Sequence, residues 1–336
     1  MQKADVKRPK QAITNIIKIL ISVVLVIVLY NIIDFNFVLR EITSMSPWFF
    51  VSVLLVSALS IVVEVSKWRI LMPAVPFGQY LKAFMYGEFF TLALPGQVFG
   101  EAAKIVRFGK DSGRYDQSIS TVIIDKITAV LGLIVFGLFG LLFTKAELPK
   151  AFVAILLTCM IGALFVLFLL RIGRVRRLLL AFVRLPVRIS PRFQKFCDGA
   201  AGVVDTWHEY LFKPKLLLKT FGCGLLLYVV ILFQYVLICR QYNIPVSVVD
   251  LCWIMPTINV VQALPISFAG IGVRDISLVT MLAYVGVSAD NSMVLAMVLL
   301  LVIITRAIAG AVFILSDVAH ASMSHSDMAA VGAAHK

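Results

Sequence analysis

The sequence has little charge and few acids. Charged residues make up 15% of the 336 residues, and 18 Asp and Glu residues face 31 Lys and Arg residues. At 61% hydrophobic, the chain lacks the polar residues that cover the surface of a soluble domain. Several apolar runs approach or exceed the ~20 residues that a membrane-spanning helix needs. The composition therefore excludes an ordinary soluble domain and indicates a polytopic membrane protein.

The sequence also lacks the common metal-binding and catalytic patterns. Its five cysteines form no C-x-x-C pair, and three of its four histidines fall in the C-terminal tail. No H-E-x-x-H, G-x-S-x-G or G-x-x-x-x-G-K-[ST] motif is present. We therefore expect no metal and no cofactor, and nothing indicates an enzyme. A membrane enzyme could still use scattered acids such as Glu64, Glu88 or Glu101, and Glu88 is the first to test.

The net charge of +13 does not indicate nucleic-acid binding, because the bases lie mostly at the ends of apolar runs. Bases in such places set the orientation of spans through the positive-inside rule. Residues 1–12 are basic, and we expect both them and the polar tail, 318–336, to be cytoplasmic. The tail is expected to be disordered. The predicted location is a bacterial-type inner membrane.

Six apolar runs are predicted to cross the bilayer, which makes residues 13–317 a single transmembrane domain. The runs are 13–33, 47–66, 118–143, 151–170, 216–239 and 292–316. Four shorter segments form two pairs, 80–94 with 99–108 and 250–263 with 273–287. At 1.5 Å per residue these segments are too short for a hydrocarbon core of ~30 Å. Each pair therefore predicts a re-entrant helical hairpin.

The two hairpins carry the same short motif. The pattern A-L-P-x-x-x-x-G, followed four residues later by a base, occurs at 93–104 and again at 263–274. Three predicted spans separate the two copies, so the hairpins should enter from opposite faces. The fold predicted is an all-α polytopic membrane protein, with about six full spans and two re-entrant hairpins arranged as inverted repeats. Paired interrupted segments of this kind point to a transport site.

Residues 171–214 form the most basic loop of the chain. Eight bases between Arg171 and Lys195 occur without an intervening acid and alternate with Leu, Phe and Val. One interpretation is a basic amphipathic segment that lies on the anionic cytoplasmic leaflet. The other is a loop whose charge only sets the topology. The sequence leaves both open.

The hairpin residues resemble the flippase-like transmembrane region of lysylphosphatidylglycerol synthases. The first hairpin of that family reads approximately L-P-G-x-x-G-G-D-x-x-R, and residues 94–104 here read L-P-G-Q-V-F-G-E-A-A-K. The second, commonly L-P-I-S-x-G-G-x-G-x-R-E, is similar to L-P-I-S-F-A-G-I-G-V-R-D at 264–275. The D-R pair of the family is similar to Asp125-Lys126. Lys104 stands where the family has Arg, which puts the choice of headgroup in doubt.

The resemblance implies a lipid flippase or transporter that moves an anionic or modified lipid, aminoacylated or glycosylated, between leaflets. The alternative is a membrane enzyme or accessory subunit in the synthesis of a modified lipid. The partners implied are membrane lipids and, for the accessory role, a lipid-modifying enzyme. These 336 residues include no counterpart of the soluble aminoacyl-transferase domain. We therefore do not expect this chain alone to aminoacylate lipids.

The charged residues around the hairpins are the candidate ligands of a lipid headgroup. They are Lys104, Arg274, Glu101, Asp275, Asp125 and Lys126. The residues expected at the hairpin turns are Pro95, Gly96, Gly100, Pro265, Gly270 and Gly272. The bases would bind phosphate, and the acids would neutralise them or receive an amine. Alternatively the same charges form structural ion pairs that hold the hairpins in place, since charges inside a membrane also pair with one another.

Overall fold

A computed structural model describes residues 35–73, 75–94, 97–189, 194–263 and 272–334. Within these ranges the chain forms helices and loops, without a strand. The all-α prediction is therefore confirmed for the described residues. The predicted first span, 13–33, lies outside them, as do the predicted turn residues Pro95, Gly96, Pro265 and Gly270.

Twelve helices follow one another in the described part of the chain. They are α1 (Phe35–Thr43), α2 (Pro47–Leu71), α3 (Phe77–Ala93), α4 (Gln97–Ser112), α5 (Tyr115–Phe143), α6 (Lys150–Leu170), α7 (Gly173–Ile189), α8 (Gln194–Leu211), α9 (Pro214–Gln241), α10 (Val248–Ala263), α11 (Val273–Ala283) and α12 (Ala289–Ala334). The short helix α1 lies between the predicted spans 13–33 and 47–66, where no helix is predicted.

Within the described ranges, four helices are long and apolar enough to cross a membrane. They are α2, residues 117–143 of α5, α9 and residues 289–317 of α12. Their 25 to 29 residues extend over roughly 38–44 Å at 1.5 Å per residue, which exceeds a hydrocarbon core of ~30 Å. Helix α6 is a further apolar helix of 21 residues, at the place of a predicted span.

The two predicted hairpins correspond to two pairs of shorter helices. Helices α3 and α4 have 17 and 16 residues, pack against each other and are joined by residues 94–96. Helices α10 and α11 have 16 and 11 residues and also pack against each other. All four are shorter than the helices of spanning length.

The last helix, α12, connects the two pairs because it packs against both α3 and α11. Its contact with α3 is close: a Cβ atom on Gly310 would overlap the carbonyl oxygen of Met85. A second close approach joins α5 to α10, where a Cβ on Gly140 would overlap the backbone of Trp253. Small residues allow helix backbones to approach in this way, which membrane proteins use to pack spans.

The basic segment 171–214 and the described part of the C-terminal tail are both mainly helical. The basic segment 171–214 forms α7 and α8, which pack against each other, and α8 packs on α5. The tail at 318–336 is predicted to be disordered, whereas in the structure α12 continues as a helix to Ala334.

Candidate functional site

Lys104 is a buried cation on α4. Its side chain lies among two acids and two aromatic rings, those of Phe84 and Trp68, and the residue is 5% exposed. Its Nζ is 3.3 Å from Oε1 of Glu101, one turn earlier, and 4.0 Å from Oε1 of Glu64 on α2. The same nitrogen is 4.2 Å from the ring centroid of Phe84 on α3. A cation at this depth needs such partners, because an uncompensated buried charge costs several kcal/mol.

Two glycines make room for this arrangement. Gly87 of α3 faces Lys104, and a Cβ atom there would overlap three carbons of the lysine side chain. A Cβ on Gly100 would overlap the Thr91 hydroxyl and approach the Gly87 carbonyl oxygen. Gly100, predicted at the hairpin turn, therefore lies inside α4, where it allows close packing against α3. The signal for this role was available in the sequence, since helices of membrane proteins pack through small residues.

Glu101 links α4 to α5. Its Oε1 accepts hydrogen bonds from Lys126 Nζ at 2.7 Å and from Lys104 Nζ at 3.3 Å. The other carboxylate oxygen, Oε2, is buried and has no hydrogen-bond partner among the described residues. One oxygen of Glu101 thus accepts hydrogen bonds from two lysines, while the second oxygen can still accept one.

Asp125 and Lys126 are adjacent in the sequence but bind different partners. Asp125 Oδ1 lies 2.7 Å from Nζ of Lys67 on α2, and both residues are buried. Lys126 bonds Glu101 instead. Lys67 was missed as a site residue. The signal was there: an ionisable residue beside an apolar span is a functional-site hypothesis with a partner to be sought.

A further pair ties the first hairpin to the last helix. Glu88 Oε2 on α3 lies 3.0 Å from Nε of Arg306 on α12, and the Arg306 guanidinium carbon is 5.9 Å from the Phe84 ring centroid. The Phe84 ring is therefore close to both Arg306 and Lys104. Arg306 was also missed, because it lies within an apolar run that was interpreted only as a span.

At the second hairpin, Arg274 pairs with its neighbour in the chain. Its Nε and Nη2 donate to Oδ1 of Asp275 at 2.8 and 2.6 Å, and Nη2 also donates to the Ala296 carbonyl of α12 at 3.2 Å. The other oxygen of Asp275 accepts from the Gly272 N–H at 3.1 Å. Gly272 has φ +82°, a conformation that glycine adopts at little cost.

Lys104 and Arg274 have separate acid partners. Arg274 contacts α12 at Ala296, whereas the Phe84 ring beside Lys104 lies near Arg306. Ten residues of helix separate Ala296 from Arg306, about 15 Å at 1.5 Å per residue. The six candidate residues therefore form two groups, Glu101, Lys104, Asp125 and Lys126 in one and Arg274 with Asp275 in the other.

We call the larger group, with its newly found partners, the hairpin charge cluster. Its members are Glu64, Lys67, Glu88, Glu101, Lys104, Asp125, Lys126 and Arg306. Four acids and four bases balance one another formally. Helices α2, α3, α4, α5 and α12 all contribute to it.

A second set of charges surrounds Asp317 of α12. Asp317 Oδ2 accepts a hydrogen bond from the Tyr86 hydroxyl at 2.6 Å and lies 2.7 Å from Nη2 of Arg107. Lys82 forms an ion pair with the other oxygen of Asp317. Both helices of the first hairpin are thereby attached to α12. Among the described residues no group of three His, Cys, Asp or Glu side chains is arranged to hold a metal ion.

A family model described as the lysylphosphatidylglycerol synthase TM region matches residues 15–315. The chain belongs to this family. Both hairpins and the whole hairpin charge cluster lie within the matched residues of this lysylphosphatidylglycerol synthase TM-region protein. The membership confirms the resemblance seen in the hairpin motifs and, with the apolar helices, indicates a multi-pass protein of the membrane. No curated protein and no solved structure matches the chain.

Proposed function

We propose that this protein is a lipid flippase or transporter, which moves an anionic or modified lipid between the leaflets of a bacterial-type inner membrane. The family relates the chain to lipid modification or transport. The observation that carries the proposal is the burial of Lys104 beside two acids and the face of Phe84, within the hairpin charge cluster. Charged residues inside the membrane are costly and rare, and they often mark the pathway of a polar substrate.

The charge balance of the cluster suits a reversible site. A headgroup that enters hydrocarbon loses its hydration, at several kcal/mol for each unsatisfied polar group. Without lipid, Glu101 and Glu64 neutralise Lys104. A phosphate that arrives would compete with these acids for Lys104 and Lys126. The displaced carboxylates, and the free Oε2 of Glu101, would then accept an amine if the headgroup carries one.

The proposed route uses the two hairpins as inverted repeats. Helices α3, α4, α10 and α11 are shorter than the described spans, which supports hairpins that enter the bilayer and return. Such broken helices line substrate sites near the bilayer midplane in transporters. We propose that both termini are cytoplasmic and that the hairpins open from opposite faces.

The test is reconstitution of the full chain in vesicles. The probe is phosphatidylglycerol with a fluorescent headgroup-proximal label, whose exposure in the outer leaflet is measured by chemical quenching. We expect wild-type protein to move the probe and Lys104→Gln to move it at least tenfold more slowly per inserted molecule, because a charged hydrogen bond contributes roughly 1.5–3 kcal/mol. Lys213→Gln is the matched control, since Lys213 forms an exposed pair with Glu209. Equal rates for the two variants would overturn the role of Lys104.

The accessory-subunit alternative is favoured by one observation, the word synthase in the description of the family. It predicts no movement of the probe by the isolated chain. It also predicts that the full chain co-purifies with a lipid-modifying enzyme and raises the activity of that enzyme in vesicles. Movement of the probe by the isolated chain would argue against the accessory role.

A further inference from the structure

A groove of about 460 Å³ lies between α5, α6 and α9. Its walls are mainly apolar, and they include Leu131 of α5, Phe168 of α6 and both Leu218 and Phe221 of α9. Arg171 and Pro214 line it where α6 ends and α9 begins. The volume lies within the range of small-molecule sites in proteins, ~300–1,000 Å³.

The position of the groove determines what surrounds it. Helices α5 and α9 are of membrane-crossing length, and α6 has no charged residue after Lys150. The groove therefore opens among acyl chains rather than water. Arg171 follows the last residue of α6, at the boundary where long basic side chains reach the lipid headgroups.

No acid among the described residues neutralises the charge at this boundary. Arg171 is exposed, its guanidinium carbon lies 5.7 Å from the Phe212 ring centroid, and it has no acid partner within the described ranges. Two acids of the neighbouring helix α8 already have basic partners, because Asp205 accepts from Arg176 at 2.6 Å and Glu209 accepts from Lys213 at 2.6 Å. An apolar groove thus ends at an unpaired cation.

We propose that this groove is a seat for an anionic phospholipid of the leaflet that faces the basic segment. One acyl chain would lie along Leu131, Leu218 and Phe221, and the phosphate would meet Arg171. The planar guanidinium can bond two phosphate oxygens at once. We expect phosphatidylcholine to bind more weakly, because its choline cation offsets the charge of its phosphate. The bound lipid is a resident of the fold, so the proposal does not depend on translocation through the hairpin charge cluster.

The experiment measures lipid retention by the purified full chain with native mass spectrometry. The protein is taken from bilayers of equal parts palmitoyl-oleoyl phosphatidylglycerol and phosphatidylcholine. We expect wild type to retain phosphatidylglycerol preferentially, and Arg171→Gln to weaken its apparent affinity about tenfold or more. Arg174→Gln is the matched control, since Arg174 is exposed on the same segment but does not line the groove. Equal losses in both variants, or equal retention of phosphatidylcholine by wild type, would overturn the proposal.

A second pair of variants tests the apolar wall without changing charge. Leu218 is 70% exposed and lines the groove, whereas Leu226 is 51% exposed on the same helix and does not line it. We expect Leu218→Trp to fill the groove and displace the lipid, and Leu226→Trp to retain it. This pair decides the matter if Arg171→Gln fails to fold. If Leu218→Trp retains as much lipid as wild type, the groove is not the phospholipid-binding site.

Discussion

Lys67 on α2 and Asp125 on α5 form a 2.7 Å ion pair in which the two residues are only 1% and 4% exposed. The Lys67 ammonium also bonds the Asp125 main-chain carbonyl at 3.2 Å, so the pair fixes both the side chain and the backbone of α5 at this point. Of the charges in the hairpin charge cluster, this pair is the most fully enclosed. It is therefore the clearest case of a structural pair beside a site that we propose binds substrate.

We predict that Lys67→Met destabilises the protein strongly, because it leaves the Asp125 carboxylate buried without its partner. Removal of one member of a buried pair typically costs about 3–5 kcal/mol, whereas replacement of both by apolar residues is often neutral. Thermal unfolding in detergent measures this. The double variant Lys67→Met with Asp125→Leu should recover most of the wild-type stability. A single variant as stable as wild type would show that the pair is not structural.

The Glu101–Lys104 pair should differ from the Lys67–Asp125 pair in one respect: if Lys104 binds the headgroup, removing both charges should not restore function. Lys104→Gln should abolish lipid translocation, and adding Glu101→Gln should restore abundance but not translocation, because the phosphate ligand is still absent. Translocation per inserted molecule is the measurement. Recovery of translocation in the double variant would assign a structural role to Lys104. Lys104→Arg should be tolerated, since Arg keeps the charge and binds phosphate with two bonds.

The topology can be tested with single cysteines in a chain from which the native cysteines have been removed. We expect a thiol at position 97 to react with an impermeant reagent only from the cytoplasmic side. A thiol at position 267 should react only from the outside, because an odd number of predicted spans separates the hairpins. Intact and permeabilised cells give the comparison. Reaction of both positions from the same side would refute the inverted repeat.

Much of the fold follows from the sequence because apolar length decides it. The helices of spanning length at 47–71, 117–143, 214–241 and 289–317 coincide with predicted spans. The boundaries of α3 and α4 are also close to those predicted from short apolar runs. The helical state of 35–43 and 318–334 was not predicted, since polar or mixed composition there gave no hydrophobic length to read.

The site was harder to predict than the fold, because pairing depends on which helices meet. The adjacent residues Asp125 and Lys126 point to Lys67 and Glu101 on different helices, which no local pattern specifies. Arg274 and Asp275 are the exception, since neighbours in the chain bond each other. Gly87 shows the same limit. Only the packing of α3 on α4 reveals that Lys104 occupies the space where a side chain of residue 87 would lie.

That last contact allows a test that moves Lys104 without removing its charge. We predict that Gly87→Ala reduces lipid translocation by roughly tenfold or more, the effect of losing one charged hydrogen bond. The added methyl group would overlap the Lys104 side chain and displace its ammonium from Glu101 and Glu64. The reconstituted translocation rate per inserted molecule is the measurement, with thermal stability recorded beside it.

Gly78→Ala is the matched control for that variant, because Gly78 lies on the same helix and a Cβ atom there would meet nothing within 4 Å. Alanine is favoured over glycine in a helix by up to ~1 kcal/mol, so this control should be neutral or slightly more stable. If the site depends on the position of Lys104, Gly87→Ala should translocate lipid more slowly than Gly78→Ala. If Gly87→Ala folds, inserts and translocates lipid as fast as Gly78→Ala, the position of the Lys104 ammonium does not matter, and a headgroup site centred on it is ruled out.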